Sequence, residues 1–287
     1  ASASFSLQTK MVSLLLMLLL GLCNAQEVRN NSIDFRTACV FVHFYLSSVS
    51  IFVEIIAFYT DFLLEGDMII PTTRNAMKCY SQKYSCLWPK SANGKVEIPF
   101  IIKSSYTNNE RSTILRAMRD IESKTCIRYI PYTSQRGYLT IEPRFGCATI
   151  FGYVGSKQVL SLMKNGCVVH GIVQHELLHV LGFHHEHNRS DRDQYIRINW
   201  ENIQDHAISN FQKRDTNNLD TRYDYSSVTH YGRTKFCSTN TFMNDYFLMI
   251  LFITITPIPD SSTVIGQRKG LSKTDIVKIN RLYKCRR

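Results

Sequence analysis

Histidine is concentrated in one part of the chain, since six of the nine histidines lie between residues 170 and 187. His175 and His179 are four positions apart, so on a helix both imidazoles project from one face and can bind the same ion. Gly182 follows, and glycine adopts backbone angles that are closed to other residues. The chain can therefore turn back and bring His185 to that ion. We expect these three histidines to bind one Zn²⁺ ion per chain.

A glutamate lies directly beside the first of these histidines. Three protein ligands leave one zinc coordination position open for water, which is typical of a catalytic rather than a structural site. Zinc lowers the pKa of that water toward 7 and polarises the carbonyl group of a peptide bond. Glu176 is placed to accept the proton of the water and pass it to the leaving amine. The pattern predicts a zinc endopeptidase with Glu176 as general base; the alternative is a helix with coincidental histidines.

Strand-like and helix-like patterns alternate around these residues. Runs of β-branched and aromatic residues, bounded by Gly, Pro and polar residues, predict strands at Val96–Ile101, Ile127–Tyr132, Tyr138–Ile141 and Val159–Leu162. Apolar residues at helical spacing predict helices at Asn109–Lys124, with Asn109 as N-cap, and at Val169–Leu181. A third helix is expected to begin at Ser272, where Asp275 completes a pattern similar to a capping box.

The N-terminal part of the chain resembles a targeting and processing region. Lys10 precedes an apolar run, and Cys23-Asn24-Ala25 offers a cleavage site, so we expect residues 1–25 to contain a signal peptide preceded by ten residues upstream of the natural start. Residues 26–74 are expected to be a pro-segment that is cut near Arg74. Residues 75–287 then form one peptidase domain, and we expect the protein to be secreted and extracellular.

Two apolar stretches do not fit this plan. Residues 38–59 are long enough to span a bilayer, but Glu54 lies inside them, and an intramembrane charge costs about 2.5 to 3.5 kcal/mol. A membrane span and translated intron sequence are the alternatives, and we expect no membrane association. Residues 246–257 are too short to cross a bilayer, so they form either a core strand or an inserted stretch. Residues 238–252 could likewise be an insertion that does not belong to the natural protein.

The formal charge of the chain is +11 at pH 7. Such a charge can favour acidic partners. However, the basic residues form no run longer than three, and no nucleic-acid-binding signature is present. We therefore expect a solvated basic surface and no binding of nucleic acid.

The sequence that follows His185 resembles the astacin family of metzincin zinc endopeptidases, and within it the fish hatching enzymes (choriolysins). The resemblance rests on residues 185–193, on Tyr223–Tyr231, which is similar to the Met-turn of the family, and on shorter stretches from residue 74 to residue 202. It implies an α+β, zincin-like catalytic domain with two lobes. The N-terminal lobe would hold a mixed twisted sheet and the active-site helix, and the mostly irregular C-terminal lobe would end in a helix.

The resemblance also implies roles for residues outside the histidine motif. Tyr231 would be an extra zinc ligand that swings away and stabilises the oxyanion of the tetrahedral intermediate. Glu186 would hold the new N-terminus of the mature chain. Asp67 would bind zinc in the zymogen until an activating protease cuts near Arg74. The implied substrates are proteins, with egg-envelope proteins as a candidate, and the chain would be a monomer.

The cysteine pairs are likewise implied by the resemblance. It pairs Cys126 with Cys285 and Cys147 with Cys167, and the six-cysteine branch of the family adds a bond between Cys79 and Cys86. Cys237 is left over and is expected to be unpaired.

One position departs from the family pattern. Thr229 stands where the Met-turn has methionine, and a buried hydroxyl without a partner costs about 1–3 kcal/mol. We expect lower stability or weaker metal retention rather than lost chemistry. Two alternatives to an active secreted protease remain: a zinc-binding relic with impaired catalysis, and a protease tethered to a membrane by residues 38–59.

Overall fold

The structure is a computed structural model that describes residues 63–69, 86–237 and 252–286. The expected signal peptide, the apolar stretch 38–59, the cleavage point at Arg74 and most of residues 238–252 lie outside the described residues. Within the described ranges, no helix is long and apolar enough to cross a membrane.

A seven-stranded mixed sheet forms one layer of the fold, with the strand order β1-β2-β6-β7-β5-β3-β4. The strands are β1 Leu63–Leu64, β2 Met68–Ile69, β3 Val96–Ile102, β4 Ile127–Pro131, β5 Tyr138–Glu142, β6 Cys147–Ile150 and β7 Lys157–Leu162. β1 with β2 and β6 with β7 are antiparallel, whereas the other neighbours are parallel. Residues 63–69 therefore form a hairpin that joins the sheet beside β6.

Two helices cover the sheet. Helix α1 spans Asn108–Glu122 and helix α2 spans His170–Val180. Both pack with the strands into one apolar core, which includes the fully buried residues Ile98, Ile114, Ile141, Leu160 and Leu177. Nearly every residue of α2 is buried, and this holds the histidine motif rigidly against the sheet.

The sequence prediction was wrong about the start of α1. Thr107 is the N-cap, because its side chain accepts a hydrogen bond from the Glu110 amide while the Glu110 carboxylate accepts one from the Thr107 amide. This reciprocal capping box satisfies two donors that a helix start otherwise leaves unpaired. Asn109 therefore lies inside the helix. Strand β6 was not predicted, because a four-residue Cys-Ala-Thr-Ile run is too short to show a pattern.

A second, smaller core lies in the C-terminal lobe. It contains the two-stranded sheet of β8 Ile196–Ile198 and β9 Ile255–Pro257, with four 3₁₀ turns between Glu186 and Phe211. The lobe ends in helix α3, Lys273–Leu282, which is capped by Ser272 with Asp275 as expected. The two-lobed α+β fold predicted from the sequence is confirmed. β9 also shows that the end of the 246–257 stretch is a core strand.

Disulfide bonds link distant parts of this fold. They join Cys126 to Cys285 and Cys147 to Cys167, the pairs implied by the family resemblance. Cys86 is disulfide-bonded as well, and its expected partner, Cys79, lies outside the described residues. The expectation that Cys237 is unpaired is wrong, because Cys237 also takes part in a disulfide.

Candidate active site

Three imidazole rings converge at the end of α2. His175 and His179 project from one face of the helix, and their Nε2 atoms are 3.0 Å apart. Gly182 has a φ of +88°, a left-handed conformation that an L-residue with a side chain rarely adopts. The chain turns there and brings His185 Nε2 to 3.3 Å from His175 Nε2.

The hydrogen bonds of two rings determine which nitrogen is free. His175 Nδ1 is 2.8 Å from the Val228 carbonyl and His179 Nδ1 is 2.6 Å from the Phe183 carbonyl. Because a carbonyl only accepts, both Nδ1 atoms carry the proton, which leaves both Nε2 atoms with a lone pair that can bind a cation. Lone pairs at this distance repel unless a cation lies between them.

The donor set fits zinc. The four candidate ligand atoms, from the three histidines and Asp67, all lie within 4.8 Å of one another. Tetrahedral zinc with Zn–N bonds of about 2.0–2.1 Å requires nitrogens roughly 3.3 Å apart, close to the separations in this cluster. Imidazole nitrogens that keep a free lone pair, together with a carboxylate, therefore match the ligands that zinc prefers.

Asp67 lies at the tip of the β1–β2 hairpin and reaches the histidine cluster. Its Oδ2 is 3.1 Å from His175 Nε2 and 3.0 Å from His185 Nε2. Burial favours the protonated acid, but the surrounding histidines hold the pKa of Asp67 well below its ordinary value. Gly66 suits this turn because its φ is +78°, which residues with a side chain rarely adopt, and a Cβ there would also lie 2.7 Å from the Phe236 ring.

The residue before that glycine makes a second set of contacts. The Glu65 carboxylate is fully buried, and its oxygens lie 2.9 Å from Arg214 Nε, 2.8 Å from His184 Nδ1 and 2.9 Å from His185 Nδ1. The backbone amide of His185 also donates to it, at 3.2 Å. The hairpin is thus held by two carboxylates on opposite sides of the His185 ring.

Glu176 is buried beside the first histidine. Its Oε2 atom has no hydrogen-bond partner among the residues that the structure describes. Burial raises the pKa of the Glu176 carboxyl well above its ordinary value, and the charge of Asp67 adds to the rise. A buried carboxyl with an unpaired oxygen beside a metal-ligand cluster is suited to exchange a proton with a bound water.

Tyr231 lies at the edge of the same cluster. Its ring centroid is 4.5 Å from that of His185 and 3.9 Å from that of His187, on which it stacks. The phenol donates a hydrogen bond to the backbone carbonyl of Glu65. The hairpin therefore accepts the hydrogen bond that the Tyr231 hydroxyl can donate.

Glu186 faces away from the histidine cluster. Its buried carboxylate pairs with Lys278 of α3, lies 3.2 Å from Arg189 Nη1 and accepts a hydrogen bond of 2.9 Å from the Asp224 amide. Burial raises the pKa of Glu186, while Lys278 and Arg189 oppose this rise. Residue 75, the expected new N-terminus, lies outside the described residues.

Helix α3 binds the segment that resembles the Met-turn, residues 223–231, through one buried carboxylate. Asp275 accepts hydrogen bonds from Ser227 Oγ at 2.7 Å and from the Val228 amide at 3.0 Å. The hydroxyl of Thr229 is buried and lies 3.0 Å from Ser227 Oγ. Ser227 is therefore the partner that this buried hydroxyl needs.

Three groups in this region were not predicted from the sequence. Glu65 and Arg214 were given no role, although Glu65 is adjacent in sequence to Gly66 and Asp67. The Val228 carbonyl acts through the backbone and leaves no signal in the residue types.

Asn188, part of an Asn-Arg-Ser sequon, is fully buried and donates to the carbonyls of Asn210 and Gln212, so this amide cannot carry a glycan in this fold.

The chain matches a known protein family in both sequence and fold. The family model described as Astacin, a peptidase family, matches residues 81–284. Low choriolytic enzyme of Oryzias latipes is 51% identical over 223 residues, 78% of this chain and 78% of that protein. High choriolytic enzyme 1 of the same fish is 50% identical over 224 residues, again 78% of each chain. The solved structure of the latter, a hatching enzyme zinc-protease, superposes with a TM-score of 0.66 at 48% identity and covers 74% of this chain and 100% of that chain.

Proposed function

The chain belongs to the astacin family of zinc metalloendopeptidases, and on that premise we propose that it is a secreted protease, made as a latent precursor, whose catalytic residues are Glu176 and Tyr231. Residues 26–74 form the pro-segment in this proposal, and residues 75–287 form the peptidase domain. The chain acts on proteins, and its similarity to choriolytic enzymes supports egg-envelope proteins as the substrates.

His175, His179 and His185 would hold one zinc ion through their Nε2 atoms. Zinc bound there lowers the pKa of a water ligand toward 7 and polarises the substrate carbonyl. The protein contributes a rigid, buried ring of donors, because α2 is packed on all sides and backbone carbonyls orient two of the rings. Such fixed orientation is what the residues around metal ligands supply.

Glu176 would move the proton. Its carboxylate lies one residue from the first ligand and has an unpaired buried oxygen, so it can take the proton of the attacking water and deliver it to the leaving amine. The charge of Asp67 works against ionisation of Glu176 in the precursor. Departure of Asp67 removes that unfavourable interaction.

Tyr231 would stabilise the oxyanion that forms on the substrate carbonyl. Its hydroxyl donates to the Glu65 carbonyl in the precursor, so the donor already points at an oxygen in the cleft. Once the hairpin leaves, the same hydroxyl is available to the substrate oxygen, whose negative charge grows toward the transition state. The stacked His187 ring limits the movement of the phenol.

Latency would depend on Asp67. The carboxylate occupies the side of the histidine cluster where water and substrate must bind, and cleavage near Arg74 by an activating protease would release it. Glu186 would then receive the new N-terminal ammonium group. Because Lys278 and Arg189 already neutralise this carboxylate, the ammonium group would have to join or displace them.

The convergence of three histidines and Glu176 at one point is the observation that carries the proposal. The test treats the purified full chain with trypsin and measures digestion of casein and of egg envelopes, with and without a zinc chelator. We expect chelator-sensitive activity that falls by about 10²–10⁴-fold in Glu176→Gln, the size of a general-base contribution. The matched control is Glu201→Gln, which changes an exposed glutamate.

The outcomes separate the alternatives. Bound zinc without proteolysis would identify the impaired relic. Proteolysis that resists chelation, or that is equal in the Glu176→Gln variant, would contradict the proposed mechanism. Recovery of the active protein only with membranes would favour the tethered form.

A further inference from the structure

The three candidate zinc ligands differ in what orients their rings. His175 and His179 each donate from Nδ1 to a backbone carbonyl, of Val228 and Phe183 respectively. Both carbonyls belong to the peptidase domain and remain after activation. His185 Nδ1 instead lies 2.9 Å from Glu65 Oε2, in the hairpin that activation removes.

The Glu65 carboxylate is held firmly in this position. Arg214 Nε and His184 Nδ1 bind one of its oxygens, and the His185 amide and His185 Nδ1 bind the other. The side chain is fully buried, and the residue has a φ of +55°. That left-handed conformation is unfavourable for a non-glycine residue, so the contacts must compensate for it.

From this arrangement we propose that Glu65 is a positioning residue for the metal site: it orients His185, so that the latent chain holds zinc more tightly than Asp67 alone would achieve. A carboxylate on the second nitrogen of a metal-bound imidazole fixes the tautomer and makes the ring a better donor. Glu65 occupies that place, while Asp67 lies on the opposite side of the same ring, 3.0 Å from Nε2.

The proposal gives the pro-segment a second task. Besides blocking the cleft, it would complete the site in which the chain first acquires its zinc during folding. Cleavage would then remove a direct ligand and the orienting partner of another ligand in one step. The mature enzyme would accordingly lose zinc to a chelator more readily than the precursor does.

The test measures zinc affinity of the uncleaved full chain by competition with a chromophoric chelator. We expect Glu65→Gln to weaken zinc binding about 10–100-fold, the effect usual for an orienting partner of a metal ligand. Asp67→Asn provides the comparison for loss of the direct ligand. Arg214→Gln is the comparison for anchoring of the hairpin, because it removes one partner of Glu65 but keeps the carboxylate beside His185 Nδ1, so its affinity should fall less than that of Glu65→Gln.

Two results would overturn the inference. One is unchanged affinity in Glu65→Gln. The other is an equal loss in Glu65→Gln and Arg214→Gln, which would assign the effect to release of the hairpin. Should Glu65→Gln fail to fold, the wild-type chain provides the test through the exchange rate of the His185 Nδ1 proton by NMR, which should rise when trypsin removes the hairpin. A rate that stays the same would contradict the proposal.

The inference rests on the proposed zinc site, and the two can fail separately. A wild-type chain that binds no zinc would reject the proposed function and this inference together. A chain that binds zinc, becomes an active protease on cleavage, and shows equal affinity in Glu65→Gln would reject this inference alone.

Discussion

Asp275, in the first turn of α3, accepts a hydrogen bond of 3.0 Å from the backbone amide of Val228, and the carbonyl of Val228 accepts the Nδ1 proton of His175. The same carboxylate caps α3 through the Ser272 amide. One buried side chain therefore joins the last helix to a zinc-ligand candidate in the other lobe.

Replacing Asp275 by Ala should destabilise the fold. The change leaves the Val228 amide without a buried partner, takes away the acceptor of the Ser227 hydroxyl proton and removes part of the helix cap, so we expect a loss of at least about 2 kcal/mol in the free energy of unfolding. Chemical denaturation monitored by tryptophan fluorescence measures this quantity. Asp260→Ala, at an exposed turn, should change it little, and equal effects in both variants would contradict the role of Asp275.

Replacing Tyr231 by Phe should reduce catalysis without removing zinc. The variant keeps the stacking on His187 but lacks the hydroxyl, so kcat should fall about 10²–10³-fold, as for loss of one oxyanion donor. KM should change much less, because the oxygen is charged mainly in the transition state. Steady-state kinetics of the trypsin-activated protein tests this, with Tyr195→Phe as the control, and a change confined to KM would contradict the role.

Replacing Thr229 by Val distinguishes two views of the Met-turn. If the hydroxyl is unfavourable, as the sequence suggests, valine should stabilise the protein. The structure gives the hydroxyl a partner in Ser227, so we expect a loss of about 0.5–1.5 kcal/mol in the free energy of unfolding. Thr229→Met should restore apolar packing and zinc retention. A rise in stability for the valine variant would show that the hydrogen bond contributes nothing.

Asp120 should make stability depend on pH. Burial alone would raise the pKa of Asp120, but hydrogen bonds from Lys124 and Gln174 hold it below the ordinary value. The folded state therefore binds the proton less readily than the unfolded state, so the stabilising contribution is complete above about pH 5 and is lost as pH falls through the folded-state pKa. Unfolding experiments between pH 3 and pH 7 should show a deficit for Asp120→Asn that is largest near neutrality and shrinks on acidification. A constant deficit would contradict this linkage.

The metal site could be predicted from residue types and their spacing, because the four-residue spacing on a helix and the turn at a glycine depend only on nearby residues. The main strands and helices could be predicted in the same way, because their patterns extend over several residues. The orienting partners of the rings were not predictable in this way. The Val228 carbonyl belongs to the backbone, and Glu65 and His185 are brought together only by tertiary structure. The prediction for Cys237 was wrong because it followed from the family pattern of cysteine pairs, which offers this cysteine no partner.

The bond between Cys126 and Cys285 has a consequence for a protease that works among copies of itself. The two cysteines are 159 positions apart, and the zinc-ligand candidates of the peptidase domain, Glu176 and Tyr231 all lie between them. A neighbouring molecule that cuts an exposed loop in this interval produces two fragments that stay covalently attached, so a nicked molecule can keep its cleft assembled. Self-digestion would then appear on a reducing gel well before the activity declines.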